Sequence, residues 1–242
     1  MGRSDRVWRQ LGRTDPYSAI INHDSQAGFF ESGERHVEEV LQLVDRLSPA
    51  FRPSSVLDFG CGVGRLVIPF AGRFDEVVGV DVSEAMLEEA RRNAGAQGCS
   101  NVDFATDLAL LGHRRTFDLV HSYIVLQHIP ERRGLAILAQ LVDLIGPGGV
   151  GAIHVQYARD ASRLRACGHW LRLRMPFGRT IGNLAQGLPA RSPLVEMHTY
   201  DAGDVLRLLQ TKGCREALLS FTSDTGGFLG LMIVFARPSE AS

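Results

Sequence analysis

Lysine is nearly missing from this chain. Lys212 is the single one, so almost all of the 26 basic residues are arginines, a skew that reflects genomic composition rather than function. An excess of either charge is missing too: the formal net charge is −1 at pH 7, which removes any whole-protein argument for a nucleic-acid or membrane partner. No apolar run is long enough to span a bilayer. Arg3, Arg6, Arg9 and Arg13 stud the N-terminus without the continuous apolar stretch of a secretory signal, so a cytoplasmic protein is expected. Cysteines are few and scattered. Cys61, Cys99, Cys167 and Cys214 show neither C-x-x-C nor Cys/His ligand spacing, so reduced thiols and no metal site are the expectation.

What is present is 45% apolar content over 242 residues, enough for one sizeable core and a single α/β domain with a small insertion. The most informative stretch is Val56-Leu57-Asp58-Phe59-Gly60-Cys61-Gly62-Val63-Gly64-Arg65-Leu66. A β-rich run, Ser55 to Phe59, opens into three alternating glycines and then a short helical pattern. Glycines allow positive φ and a close approach of ligand to backbone, and the amides at the following helix start would face that ligand. The dinucleotide fingerprint asks for glycine at the first, third and sixth positions, but the sixth position from Gly60 is Arg65.

Downstream, Val77 to Val82 is a second apolar run that reaches a carboxylate at Asp81, at the distance expected of a βαβ unit. A carboxylate at a strand's C-terminal end can accept hydrogen bonds from both hydroxyls of a ribose. Ser83 with Glu84 and Glu88 then reads as the start of a helix over 84–94. Asn101 to Leu108 alternates as a strand and again ends on an acid, Asp107. Phe117 to Tyr123 makes a fourth strand with Ser122 and Tyr123 at its far end, followed by the loop Leu126-Gln127-His128-Ile129-Pro130. Gly146-Pro147-Gly148-Gly149 reads as a turn between a helix and a fifth apolar run.

Taken in this order, the segments over residues 52–237 resemble the class I S-adenosylmethionine-dependent methyltransferases, of the small-molecule type. The resemblance implies a Rossmann-like α/β fold. Its sheet would have seven mostly parallel strands with an antiparallel last strand and helices on both faces. S-adenosyl-L-methionine would be the cofactor, held by Asp58, Gly60, Cys61, Gly62 and Gly64 of the glycine loop. Asp81 would bind the ribose, Val82 and Met86 would touch the adenine, Asp107 would bond its amino group and Leu108 would lie beside it. Ser122 falls at the ligand-facing end of strand four. An aromatic of the N-terminal cap, for which Tyr17 is the candidate, would touch the methionine end.

Residues 1–50 are expected to form a helical cap, with a helix from Ser32 to Leu47, and 51–242 the methyltransferase domain. Residues 157–197 break the strand pattern and suggest a lid after strand five. A helix from Asp201 or Ala202 to Thr211 and two apolar runs around a Gly-Gly turn complete the chain. Within that lid Arg159, Arg163, Arg165, Arg172, Arg174, Arg179 and Arg191 face only Asp160 and Glu196, which fits a solvated face or an acidic acceptor.

The expected partner is a small-molecule methyl acceptor, with no nucleic acid and no membrane, methylated at a hydroxyl or carboxylate oxygen by in-line transfer. A hydroxyl needs a base, and His128 is the candidate. Tyr123, Gln127, His154, Tyr157, His198 and Tyr200 are candidates for lining the acceptor pocket. An RNA or protein methyltransferase is an alternative, although no Asn-Pro-Pro-Tyr or Asp-Pro-Pro-Tyr element follows strand four. A non-catalytic binding subunit of the same fold is another.

Overall fold

The computed structural model describes residues 2–14, 16–17, 26–49, 51–112, 115–160, 195–223 and 227–239. The arginine-rich stretch expected to form a lid falls largely at 161–194, outside the described residues, together with Arg163, Arg165, Arg172, Arg174, Arg179, Arg191 and the amphipathic helix that the sequence suggests around 161–174.

Two N-terminal helices, α1 (Arg3–Thr14) and α2 (Gln26–Leu47), precede β1 (Ser55–Phe59), α3 (Val67–Ala71), β2 (Glu76–Val80) and α4 (Glu84–Ala96). Next come β3 (Val102–Ala105), β4 (Phe117–Ser122), α5 (Glu131–Asp143) and β5 (Ile145–Arg159). The chain ends with α6 (Ala202–Thr211), β6 (Ala217–Ser223) and β7 (Phe228–Ala236). The strands form one sheet in the order β3-β2-β1-β4-β5-β7-β6. Strands β3 to β5 pair in parallel, and β7 runs antiparallel to both β5 and β6. The seven-stranded fold read from the sequence is therefore the observed one.

Period-2 alternation decides which side chain meets which layer. Leu57, Val78 and Val120 join Leu138, Leu141, Val205 and Leu209 of α5 and α6 on one face. Val56, Val77 and Leu119 join Val37, Val40, Val44 and Phe70 of α2 and α3 on the other. Strands covered on both faces read as unbroken apolar runs, which is why periodicity alone could not show their two-sidedness. Leu57 and Leu119 have no exposed surface, and burial of each contributes about 1.5–3 kcal/mol.

Two boundaries differ from expectation. Helix α2 starts at Gln26 rather than Ser32. Glycine is a poor helix former, so Gly28 and Gly33 hide the first turns. Gly33 is needed, because a Cβ there would lie 2.3 Å from the Arg65 carbonyl oxygen. The second difference is that Gly146 to Gly149 is not a turn outside the sheet but the opening of β5. Pairing with β4 slips there, from Phe117 opposite Ile145 to Leu119 opposite Val150. That irregularity is where a strand tolerates proline and glycine.

The reversal of strand order between β1 and β4 opens a crevice at the strands' C-terminal ends, the usual ligand position in such sheets. Helix α1 lies across it. Ser4 Oγ donates to the His128 carbonyl at 2.6 Å. Arg133 donates to both carboxylate oxygens of Asp5, at 2.7 and 3.0 Å.

Candidate active site

A cavity of about 430 Å³ fills this crevice. Of the sequence candidates, Gly60, Gly62, Asp81, Val82, Met86, Asp107, Leu108, Tyr123 and His128 line it. The loop after β1 carries Gly60, Gly62 and Gly64 at positive φ, and it closes onto the end of β2 as Gly60 N–H donates to the Val80 carbonyl at 2.7 Å. That contact brings the loop to Asp81. Asp81 Oδ2 accepts from Gly62 N–H at 3.0 Å and Oδ1 from Ser83 N–H at 2.8 Å. Ser83, expected to start α4, makes no side-chain cap; the carboxylate two residues earlier takes its amide instead. Burial raises the Asp81 carboxyl to about 6, against the lowering effect of the Ser83 and Gly62 amides. Asp107 caps the short 3-10 turn Leu108–Leu111 by accepting from Ala109 N–H at 3.0 Å.

Several loop candidates support the wall from behind and are not among the described lining residues. Asp58 is buried and accepts from His121 Nδ1–H at 2.8 Å. His121 Nε2 lies 3.1 Å from His36 Nε2, and the His36 ring stacks on Tyr123 with centroids 3.8 Å apart. Cys61 and Gly64 lie in the same loop, where burial pushes the Cys61 thiol up. Ser122 Oγ donates to the Phe59 carbonyl at 3.0 Å, tying β4 to β1.

Tyr17 sits elsewhere. Its hydroxyl donates to Glu89 Oε1 at 2.6 Å and its ring meets Phe29 edge-on. The aromatic that α1 brings to the cavity is Trp8, whose ring centroid lies 5.0 Å from that of His128. Ser4 and Trp8 are one helical step of four apart, so both face the crevice. That spacing was the signal available in the sequence.

His128 is half-buried against the cavity. Its Nδ1 lies 3.2 Å from the Glu196 carbonyl, and a carbonyl only accepts, so Nδ1 carries the proton and Nε2 the lone pair. Burial lowers this imidazole to about 4, with the Glu196 carbonyl opposing and His198 reinforcing. It is a neutral acceptor at pH 7.

The remaining acceptor-pocket candidates are not among the described residues that line the cavity. Gln127 is buried and its carbonyl accepts from His198 N–H at 2.7 Å. His154 Nε2 lies 2.9 Å from Thr222 Oγ1 across the sheet. Tyr157 packs against the core shared with α5 and α6. Tyr200 has a structural role that the sequence did not disclose. It is 1% exposed and its hydroxyl lies 2.7 Å from the Leu126 carbonyl and 2.8 Å from that of Ile129, bracketing His128. Gly134 makes room, since a Cβ there would lie 1.8 Å from that hydroxyl. Tyr200→Phe is expected to lower stability by about 1–3 kcal/mol, because the Leu126 and Ile129 carbonyls lose the one O–H proton they share. Urea unfolding monitored by fluorescence measures it.

The structure also places Arg65, Ile124 and Arg133 in the wall, none of them marked by the sequence reading. Ile124 is the only described non-glycine residue with positive φ, at 61°. A β-branched residue there is strained, and such strain clusters at functional sites.

A family model described as a methyltransferase domain matches residues 56–149. The chain is 34% identical over 134 residues to a 23S rRNA (uracil(1939)-C(5))-methyltransferase of Marinomonas sp., covering 54% of this chain and 30% of that protein. It is 37% identical over 109 residues to a trans-aconitate 2-methyltransferase of Methylobacterium radiotolerans, covering 44% and 40%. The chain thus spans well under half the length of these curated relatives. The crystal structure of magnesium protoporphyrin IX methyltransferase from Synechocystis PCC 6803 with bound S-adenosylhomocysteine superposes with a TM-score of 0.66. That match has 23% identity and covers 96% of this chain and 99% of that one. The strand order, the glycine loop and the match over β1 to β5 agree: residues 56–149 are a methyltransferase domain, and the chain has the fold of the S-adenosylhomocysteine-bound enzyme.

Proposed function

We propose that this chain transfers the methyl group of S-adenosyl-L-methionine to an oxygen of a small-molecule acceptor. The observation that carries this reading is a single cavity that joins Gly60, Gly62, Asp81 and Asp107 at one end to Tyr123 and His128 at the other. The first group fits the cofactor: Asp81 for the ribose hydroxyls, Asp107 for the adenine amino group, Val82, Met86 and Leu108 for the flat faces of the base. The cofactor supplies an electrophilic methyl on a sulfonium. Bound there, it would offer that methyl to an acceptor oxygen and keep the electrons of the broken C–S bond on sulfur.

The protein's part is to hold the two reactants in line and keep water out. Helix α1, pinned through Ser4 and Asp5, covers the crevice for that purpose. A covered cavity of about 430 Å³ suits a small acceptor better than a polynucleotide. An acceptor hydroxyl would give its proton to His128 Nε2; an acceptor carboxylate needs no base. The relative acting on trans-aconitate supports the small-molecule reading. The rRNA methyltransferase relative keeps the alternative in the test.

The test uses the full chain, methyl-tritiated S-adenosylmethionine, a panel of phenolic and carboxylic acids, and total RNA. Label in the small-molecule fraction is the expected result; label in RNA alone overturns it. With a hydroxyl acceptor, His128→Ala is expected to lower kcat by about 10²-fold or more, while S-adenosylhomocysteine affinity changes less than about threefold. Equal losses in both would make His128 a structural residue.

A further inference from the structure

Arg65 follows the third glycine of the loop, is 5% exposed and lines the cavity. A buried cation is costly unless something of opposite charge compensates it. Among the described residues no ion pair does. Nη1 donates to the neutral Ser32 Oγ at 3.2 Å. The guanidinium carbon lies 5.9 Å from the ring centroids of both Phe29 and Tyr123. The nearby His36 imidazole is neutral, held down at about 2 chiefly by its burial. Asp58, whose charge is felt at Arg65, has one oxygen bonded to His121. Among the described residues no carboxylate lies within ion-pair distance of Arg65. Burial lowers the Arg65 pKa, but a guanidinium stays charged at neutral pH. It offers five N–H donors in a planar fork, of which the described residues use one.

The geometry points to Arg65 as a carboxylate-binding residue of this cavity, its counter-charge supplied by the ligand rather than by the protein. A carboxylate matches the fork bidentately, and the two aromatic rings keep the guanidinium in place against the wall. Two ligands can supply that chemistry: the amino-acid end of the cofactor, or an acceptor acid. The assignment rests on the cavity being the cofactor and acceptor site proposed above.

Calorimetry on the full chain and its Arg65→Met variant separates the sources. S-adenosylhomocysteine carries the amino-acid carboxylate; 5′-methylthioadenosine presents the same nucleoside thioether without it. If the cofactor is the source, Arg65→Met weakens S-adenosylhomocysteine by about 30-fold or more and leaves 5′-methylthioadenosine within about twofold. If the acceptor is the source, S-adenosylhomocysteine is unchanged, and benzoate or tricarballylate titrated into the saturated protein binds at least about tenfold more weakly. In either case the ligand-free variant melts no lower than the parent, because a buried unpaired charge has been replaced by an apolar chain of similar length. Wild-type binding of all these probes to Arg65→Met, or equal weakening of both nucleosides, overturns the assignment. Should Arg65→Met not fold, Arg65→Lys, which keeps the charge but loses the fork, is read by the same arms with smaller losses. If the parent protein binds neither nucleoside, the cavity reading itself fails and takes Arg65 with it.

Discussion

Asp81→Asn is expected to weaken S-adenosylhomocysteine binding by about 100-fold at pH 7.5, the loss of two charge-assisted hydrogen bonds. Both oxygens of Asp81 already accept backbone amides, from Ser83 and from Gly62. An asparagine can accept through only one atom, so its amide group would face one of those N–H groups and push the loop away. The same residue predicts a pH dependence. Burial raises its carboxyl to about 6, and ribose hydroxyls donate to the ionised form. Affinity is therefore full above that value and falls as pH drops through it, approaching tenfold per unit below.

The sign for folding is the reverse. The folded pKa lies above the ordinary value of 3.8, so the stability of the unliganded protein from this group rises as pH falls from about 6 towards 3.8. Calorimetric titrations at about pH 5, 6 and 7.5 check the binding limb. A Kd that stays flat in the parent would remove Asp81 from the cofactor site, whereas the Asn variant should be flat.

Gly60→Ala is expected to abolish measurable cofactor binding and to lower Tm by about 4–20 °C. Gly60 has φ of 80°, and a Cβ there would lie 2.2 Å from Val125 Cγ2. The left-handed backbone costs a non-glycine residue about 1–2 kcal/mol, and the clash adds about 1–3 kcal/mol. For a chain of this size each kcal/mol moves Tm by about 2–4 °C. Val125→Ala in the same chain should return up to roughly half of the lost stability, since it removes both γ-methyl clashes but keeps the strain and the 3.0 Å contact with the Val125 Cβ. Thermal melts of the two singles and the double measure that coupling. If Val125→Ala returns nothing, the loop is not seated against Val125 as the structure has it.

The glycine loop, Asp81 and Asp107 were readable in the sequence because each lies beside a strand end, where a short local pattern fixes both position and exposure. Gly60, Gly62, Asp81 and Asp107 line the cavity, whereas Asp58, Cys61 and Gly64 are not among its described lining residues. The acceptor candidates were read less well, because a histidine or tyrosine near a strand end looks the same whether it faces a ligand or a neighbouring strand. His154 faces Thr222 and Tyr200 holds two carbonyls; only the packing of β6 and α5 against them reveals it. Tyr17 and Trp8 exchanged places for a similar reason. Helix α1 lies in an arginine-rich stretch with few apolar residues, and its orientation is set by Ser4 and Asp5 contacts more than 120 residues away in sequence.

By itself the sequence determined the order of strands and helices, the glycine loop and the acids that follow it, because these depend on side-chain periodicity and backbone freedom within a few residues. Tertiary structure alone decided which polar residues meet the cavity. It placed Arg65 in the wall without a counter-ion among the described residues, lowered the His128 pKa through burial and put α1 across the mouth. Burial and charge compensation arise from elements far apart in the chain, and no local pattern encodes them.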